Sequence, residues 1–416
     1  LKQAGIAGRR EVKRKGTMRW QSYKSPSGSS GSPPQPLVES MRQAASKSPL
    51  LVRLRTLLAE EKVQGPPREY SSFCRHVAAE ACQLPVAAVA NVPRAAAAPS
   101  PLRVPVVVEP RPDWPPLQWD LGFWRQEHGE CMWQCASRYP PLAGEAASAV
   151  SRLQVSVRDF VDYVDALEGA DPRCCEEHAL AFPRFTLGGW RPFASTTAGR
   201  RRWDDDWAAR RRLWAPPGVK DFTARWVNMA CDTLGHSRWD EALAGFDEVQ
   251  LSPAGGITRL HVSNSRAHMW YGQMAGQSVF FLFSPDEGAR LHARTVEAMR
   301  PEERRQYSPV DIFRPDESRH PKFKDSSALA TLLEPGEVLV VPSGWWLYSA
   351  ALEPSAVLSR RYWNRANKAG MYEEFRGIVL GQELTPEIKA LYQERLEQLR
   401  ELIEEDDMSD VDDGGE

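Results

Sequence analysis

The sequence predicts a mainly β core with flanking helices, an α+β arrangement. Three observations carry this. From Phe246 onward the chain breaks into short β-prone runs: 246–251 (FDEVQL), 258–263, 269–274, 279–283 (VFFLF), 328–333, 337–341, 346–350 and 356–362. Turn-forming residues separate them, at Pro253–Gly256, Ala275–Gly276, Pro335–Gly336 and Pro342–Gly344. Many short strands punctuated this way indicate a closed barrel or sandwich. On the flanks the apolar spacing becomes helical.

Taken in order, residues 1–36 are a basic tail ending in the low-complexity run SPSGSSGSPPQP, which reads as a flexible linker. Residues 37–100 read as a helical region and a linker. Residues 37–62 carry apolar residues at helical spacing interrupted by Ser48-Pro49, 68–82 suggest a further helix, and 88–101 (AVANVPRAAAAPSP) read as the linker. The main domain is expected over 101–375, with its barrel core at about 245–365. It opens on a short strand, Val104–Val108. Residues 153–167 (LQVSVRDFVDYVDAL) place Phe160, Val161, Val164 and Leu167 on one helical face, with Ser156 as N-cap. Residues 198–214 suggest a surface helix with Trp203 and Trp207 on one side. The Gly-Gly-Trp of residues 188–190 reads as a turn. Residues 376–405 end in a strong helix, with Thr385 as cap, Pro386 at its first position and an apolar stripe at 388, 391, 396, 399, 402 and 403. That stripe either packs on its own domain or joins two copies in a homodimer. Residues 406–416 are an acidic tail.

Composition narrows the partners. The chain has 53 Lys and Arg against 55 Asp and Glu, a net charge of -2. The overall balance selects neither nucleic acid nor an acidic surface, although residues 1–24 are basic and 401–416 acidic. A nucleic-acid partner is therefore not expected. No apolar run is long enough for a membrane span. The seven cysteines form no CxxC pair, which fits reduced thiols and an intracellular setting, nuclear or cytoplasmic. The chain begins at Leu1, so its N-terminus is expected to be incomplete and targeting is left open. No Walker loop, Rossmann glycine fingerprint or nucleophile elbow is present, and no catalytic residue is assigned.

The motifs concentrate in two segments. SPAGGITRLHVS (252–263) is followed by GQMAGQSVFFLFSP (272–285), and EPGEVLVVPSGWW (334–346) comes later. With PVVVEPRPDWPPLQWD (105–120), GWRPF (189–193) and VDIFRPDESRHPKF (310–323), their order resembles the JmjC and cupin-like family of Fe(II)/2-oxoglutarate oxygenases. The resemblance extends over roughly residues 102–365. It implies a double-stranded β-helix, or jelly-roll barrel.

The resemblance also implies a site. Such an oxygenase holds iron with two histidines and a carboxylate, leaving open positions for co-substrate and oxygen. His261 matches the first metal histidine. Ser263 stands at the carboxylate position and Leu347 at the distal histidine. Ser278 occupies the place of the lysine that pairs 2-oxoglutarate, while Thr258, a co-substrate contact, is kept. Arg361 is the candidate to replace the lysine as a bidentate carboxylate partner. His268 is the candidate substitute metal ligand, provided that a bulge re-aims it, and His292, His320 and Asp311 are more remote ones. The expected function is a degenerate oxygenase, a pseudoenzyme whose barrel binds or scaffolds a protein or peptide partner and uses no cofactor. The alternative is an active protein hydroxylase or demethylase that uses Fe(II) and 2-oxoglutarate through a non-standard site. A third reading is an aromatic pocket lined by Trp270, Tyr271, Trp345 and Trp346.

Overall fold

A computed structural model of the protein describes residues 84–109, 112–136, 139–140, 152–168, 185–192, 214–235, 246–253, 256–263, 266–296, 305–312, 315–381 and 383–406. The helices expected within 37–82 and most of that at 198–214 lie outside these residues. The elements in chain order are β1 (Ala88–Asn91), β2 (Arg94–Ala95), β3 (Val106–Val108), α1 (Leu121–His128), β4 (Met132–Ala136), β5 (Arg152–Ser156), α2 (Val157–Glu168), β6 (Leu187–Trp190), α3 (Thr223–Leu234), β7 (Asp247–Ser252), β8 (Ile257–Val262), β9 (His268–Ala275), β10 (Ser278–Phe283), β11 (Arg294–Val296), β12 (Arg305–Tyr307), β13 (Ser327–Leu333), β14 (Val338–Val341), β15 (Trp346–Ala351), β16 (Ser355–Tyr362), α4 (Lys368–Leu380) and α5 (Pro386–Glu405).

The strands form two seven-stranded sheets, ordered β1-β13-β10-β15-β8-β12-β11 and β2-β3-β14-β9-β16-β7-β6. Strands β7 to β10 alternate between the two sheets, as do β13 to β16, which is the winding of a double-stranded β-helix. Each strand therefore has one face toward the other sheet and one toward an outer layer. This explains runs such as β10 (SVFFLF) and β14 (VLVV), where every residue is buried. Leu282, Leu333, Leu339 and Leu347 meet between the sheets. Outside one sheet lie Trp114, Trp124, Trp190 and Trp270. Outside the other lie Leu260, Phe281, Phe323 and Trp346. A helical layer of α3, α4 and α5 closes on Trp226, Trp363, Leu396 and Ile403.

Several expectations change. Residues 88–95 are not linker: β1 joins β13 in parallel and β2 joins β3, so each extends the edge of one sheet. Short Ala-rich edge strands carry no hydrophobic period of their own, and tertiary pairing decides their state. Residues 152–156 are strand rather than the first turn of a helix, pairing with β4. Ser156 still caps α2, accepting from the Asp159 amide at 3.0 Å. The Gly-Gly-Trp segment lies in β6, not a turn. A Cβ on Gly188 would stand 2.5 Å from the Tyr139 ring, so the glycine admits that ring. On α5, Leu396, Leu399 and Ile403 dock on the domain while Ile388, Leu391 and Leu402 stay exposed.

One buried ion cluster ties the barrel to the helical layer. Arg360 of β16 donates to Asp247 of β7 at 2.5 Å and to Asp221, just before α3, at 3.1 Å. All three side chains are at most 5% exposed. The two carboxylates hold the guanidinium protonated against the cost of its burial. Removing one member of such a cluster strands the others. Arg360→Met is expected to lower unfolding free energy by about 3–5 kcal/mol in urea denaturation.

Candidate functional site

The sequence-derived residues converge on one cavity. A space of about 100 Å³ between the sheets is lined by Thr258, His261, Ser263, Ser278, Leu347 and Arg361, with Tyr139, Glu248, Gln250, Tyr271 and serines 252, 349, 355 and 359 among the rest of its wall. A β-bulge makes this possible. On a regular strand Thr258 and His261 would face opposite ways. Opposite β15, however, His261 pairs with Leu347 and Thr258 with Ser349, so two residues of β8 face one of β15. The extra residue turns both side chains into the lumen. Leu260 and Val262 go to the outer core.

His261 is 7% exposed and fully engaged. Its Nδ1 lies 2.8 Å from the Arg259 carbonyl oxygen, which can only accept, so Nδ1 carries the proton. Nε2 is then the acceptor, and the Ser263 hydroxyl donates to it at 3.1 Å. Ser263 in turn accepts from the Tyr271 hydroxyl at 2.6 Å. Burial pushes the Tyr271 phenol well above its ordinary range, the Ser263 hydrogen bond opposes this, and Glu248 adds to it. The phenol therefore stays a donor, and the chain Tyr271–Ser263–His261–Arg259 runs in one direction.

These residues do not fit iron. The imidazole nitrogen that faces the lumen is occupied by a serine hydroxyl, itself a poor ligand for a divalent cation. Leu347 sits directly across from His261 and is 1% exposed among Phe280, Leu282 and Leu339. Among the described residues no group of three or more His, Cys, Asp or Glu is placed to hold a metal. His268 does not substitute. It begins β9 on the face opposite Met269 and Tyr271, where its ring packs on Tyr362 and its Nδ1 accepts from the Ser343 amide at 3.0 Å. Bulges fall in β6, in β8 and near the end of β9, and none re-aims it. His292 and His320 lie together elsewhere, and neither they nor Asp311 line the cavity.

The co-substrate end differs as well. The Ser278 hydroxyl donates to Ser355 at 3.5 Å, and the Thr258 hydroxyl donates to Gln250 at 3.3 Å. Arg361 lines the same cavity but at its far end: it lies six residues from Ser355 along β16, about 20 Å at the usual strand rise. Its guanidinium donates to Glu374 of α4 at 2.9 Å and lies 4.4 Å from the centre of the Phe246 ring. It cannot stand in for a lysine at Ser278. The aromatic pocket is not formed either: Trp270 and Trp346 belong to the outer cores, Trp345 packs on the cluster between the sheets, and of the four Tyr271 alone lines the cavity.

Sequence reasoning passed over Glu248, Gln250 and Ser252, and with them Tyr139, whose ring covers Gly188 at the cavity wall. Glu248 is held by Arg191 at 2.9 Å. The signal was there: polar residues alternate at 248, 250 and 252 on β7 and at 355 and 359 on β16, the mark of a wet inner face.

The fold and site define a class of barrel protein, the double-stranded β-helix with the motif order of oxygenases. Residues 233–369 match the family described as Cupin-like domain, and the chain thus carries a domain of the JmjC/cupin-like family. Human HSPB1-associated protein 1 is 29% identical over 153 residues, 35% of this chain and 30% of that protein. The HSPB1-associated protein 1 homolog of Danio rerio is 34% identical over 85 residues, 20% of this chain and 18% of that protein. Lysine-specific demethylase 8 of Xenopus tropicalis is 28% identical over 120 residues, 28% of this chain and 26% of that protein. The chain thus matches less than a third of the length of each of these relatives.

His268 supplies a pH test. Burial lowers its pKa to about 4, from the ordinary 6.5. Between these values the unfolded chain binds a proton that the native state does not. Stability should therefore fall as pH drops from about 6.5 toward 4, by on the order of 3 kcal/mol, and level off below. In His268→Asn, denaturation across this window should show a flattened slope.

Proposed function

We propose that this barrel is a binding module of the JmjC/cupin-like group in which Fe(II)/2-oxoglutarate chemistry has been lost, serving a protein or peptide partner. The observation that carries this is the pairing of His261 with Leu347 across the sheet while Ser263 closes the His261 nitrogen. Two of the three ligand positions thereby carry a hydroxyl and an alkyl group, and the lysine position carries Ser278. A protein partner accords with the relatives whose names state an association with HSPB1. The matched stretch covers only part of those proteins, so this inference concerns the class of partner and not its identity.

A second reading keeps the oxygenase, acting as a hydroxylase or demethylase of protein side chains. It draws on His261 and Thr258 surviving on one inner wall, and on relatives named as demethylases. Among the described residues no three His, Cys, Asp or Glu are placed to hold a metal for it.

Anaerobic Fe(II) titration separates the two. The natural chain should show no His261-dependent binding, with or without 2-oxoglutarate. Ser263→Asp combined with Leu347→His places a carboxylate two residues from His261 and an imidazole directly opposite, with Cβ atoms about 5 Å apart. That double variant should gain stoichiometric binding. Iron binding by the natural chain that disappears in His261→Ala, or 2-oxoglutarate turnover, would establish the oxygenase instead.

A further inference from the structure

Two histidines outside the lumen lie ring against ring. His292 lies in the turn between a short 3-10 helix (Pro285–Ala289) and β11. His320 lies just before a second one (Phe323–Asp325). Their ring centres are 5.0 Å apart with the planes at 64°. Each ring also carries a buried nitrogen with no hydrogen-bond partner, Nε2 in His292 and Nδ1 in His320. A buried polar atom left without a partner is costly. Two of them on touching rings call for a ligand that both can bind. Two imidazoles bound to one tetrahedral ion at about 2.0–2.1 Å hold their ring centres about 5 Å apart.

Both backbones are pinned in place. His292 is the one non-glycine residue with positive φ among the described residues, at 51°. Such a conformation persists where its surroundings hold it. Before it, the fully buried Leu291 offers its carbonyl to the Ser308 hydroxyl at 2.6 Å, and after it the Ala293 amide donates to Gly288 at 2.9 Å. The His320 amide donates to the Asp316 carbonyl at 2.7 Å, and its own carbonyl accepts from the Phe323 amide at 3.1 Å. Phe323 and Leu291 are anchored in the same outer core. The rings are thus held together by folding, not by a chance surface contact.

We propose that His292 and His320 are the two protein ligands of a divalent transition-metal site on the outer side of the barrel. Nitrogen donors select zinc, nickel or copper over magnesium or calcium. Solvent, or a group from another molecule, completes the coordination, because no third His, Cys, Asp or Glu joins them among the described residues.

The test is titration of the full chain with Co(II), followed by its visible absorption, and with Zn(II) by calorimetry. One equivalent is expected in the natural chain and in His261→Ala, with affinity at least tenfold weaker in His292→Ala and in His320→Ala. Zn(II) should also protect both histidines of the natural chain from diethyl pyrocarbonate, read by mass spectrometry, which needs no variant to fold. The site is overturned by an absence of binding, by binding in either variant as tight as in the natural chain, by loss in His261→Ala, or by absence of protection.

Discussion

Everything in the lumen depends on the two-residue alternation of strands in a double-sheet barrel, and on the one place where β8 breaks it. A strand with both faces covered must send alternate side chains into the cavity and into an outer core. The bulge opposite Tyr348 adds one residue and so brings Thr258 and His261 to the same side. Without it, one of them would be buried beside Leu260 and Trp346, where a polar group finds no partner. The placing of Thr258 and His261, three positions apart, on one face is thus the trace of a backbone irregularity.

Within that frame the cavity is chemically neutral. An iron site concentrates charge: two imidazoles and a carboxylate around a dication, with a lysine to receive a dicarboxylate. Here the same wall carries a chain of hydroxyls and one imidazole, each bond a neutral donor to a neutral acceptor. Its two arginines are matched, Arg191 to Glu248 and Arg361 to Glu374. Such a lumen satisfies its buried polar groups internally. It is suited to hold its shape, and the leucine opposite His261 continues the apolar packing across the place where a second imidazole would stand.

Much of this was legible in the sequence. The barrel strands, the turn glycines Gly276, Gly336 and Gly344 with their positive φ, and the capping of α5 by Thr385 follow from local chemistry that tertiary structure did not override. The identity of the altered positions, Ser263, Ser278 and Leu347, was also readable, because each is fixed by spacing from a recognisable neighbour. Three things were not. The fate of residues 88–91 depends on β13, more than two hundred residues away. The directions of His268 and Arg361 depend on strand register, which a pattern of types does not set. The hydrogen-bond chain needed Tyr271 and Ser263 to meet from strands of opposite sheets, and that proximity exists only after folding.

Arg360 and Arg361 make β16 unusual. Adjacent on one strand, they point to opposite faces and end on acids of different elements, Arg360 on Asp247 and Asp221, Arg361 on Glu374. Apolar strands can often slide by two residues and rebury similar side chains. A slip that puts Ser359 in the place of Arg360 leaves Asp247 and Asp221 buried without their cation. The pair therefore acts as a keyed joint: it fixes the register of the strand that builds one wall of the lumen, and it does so by charge, which penalises a misaligned chain more steeply than packing alone.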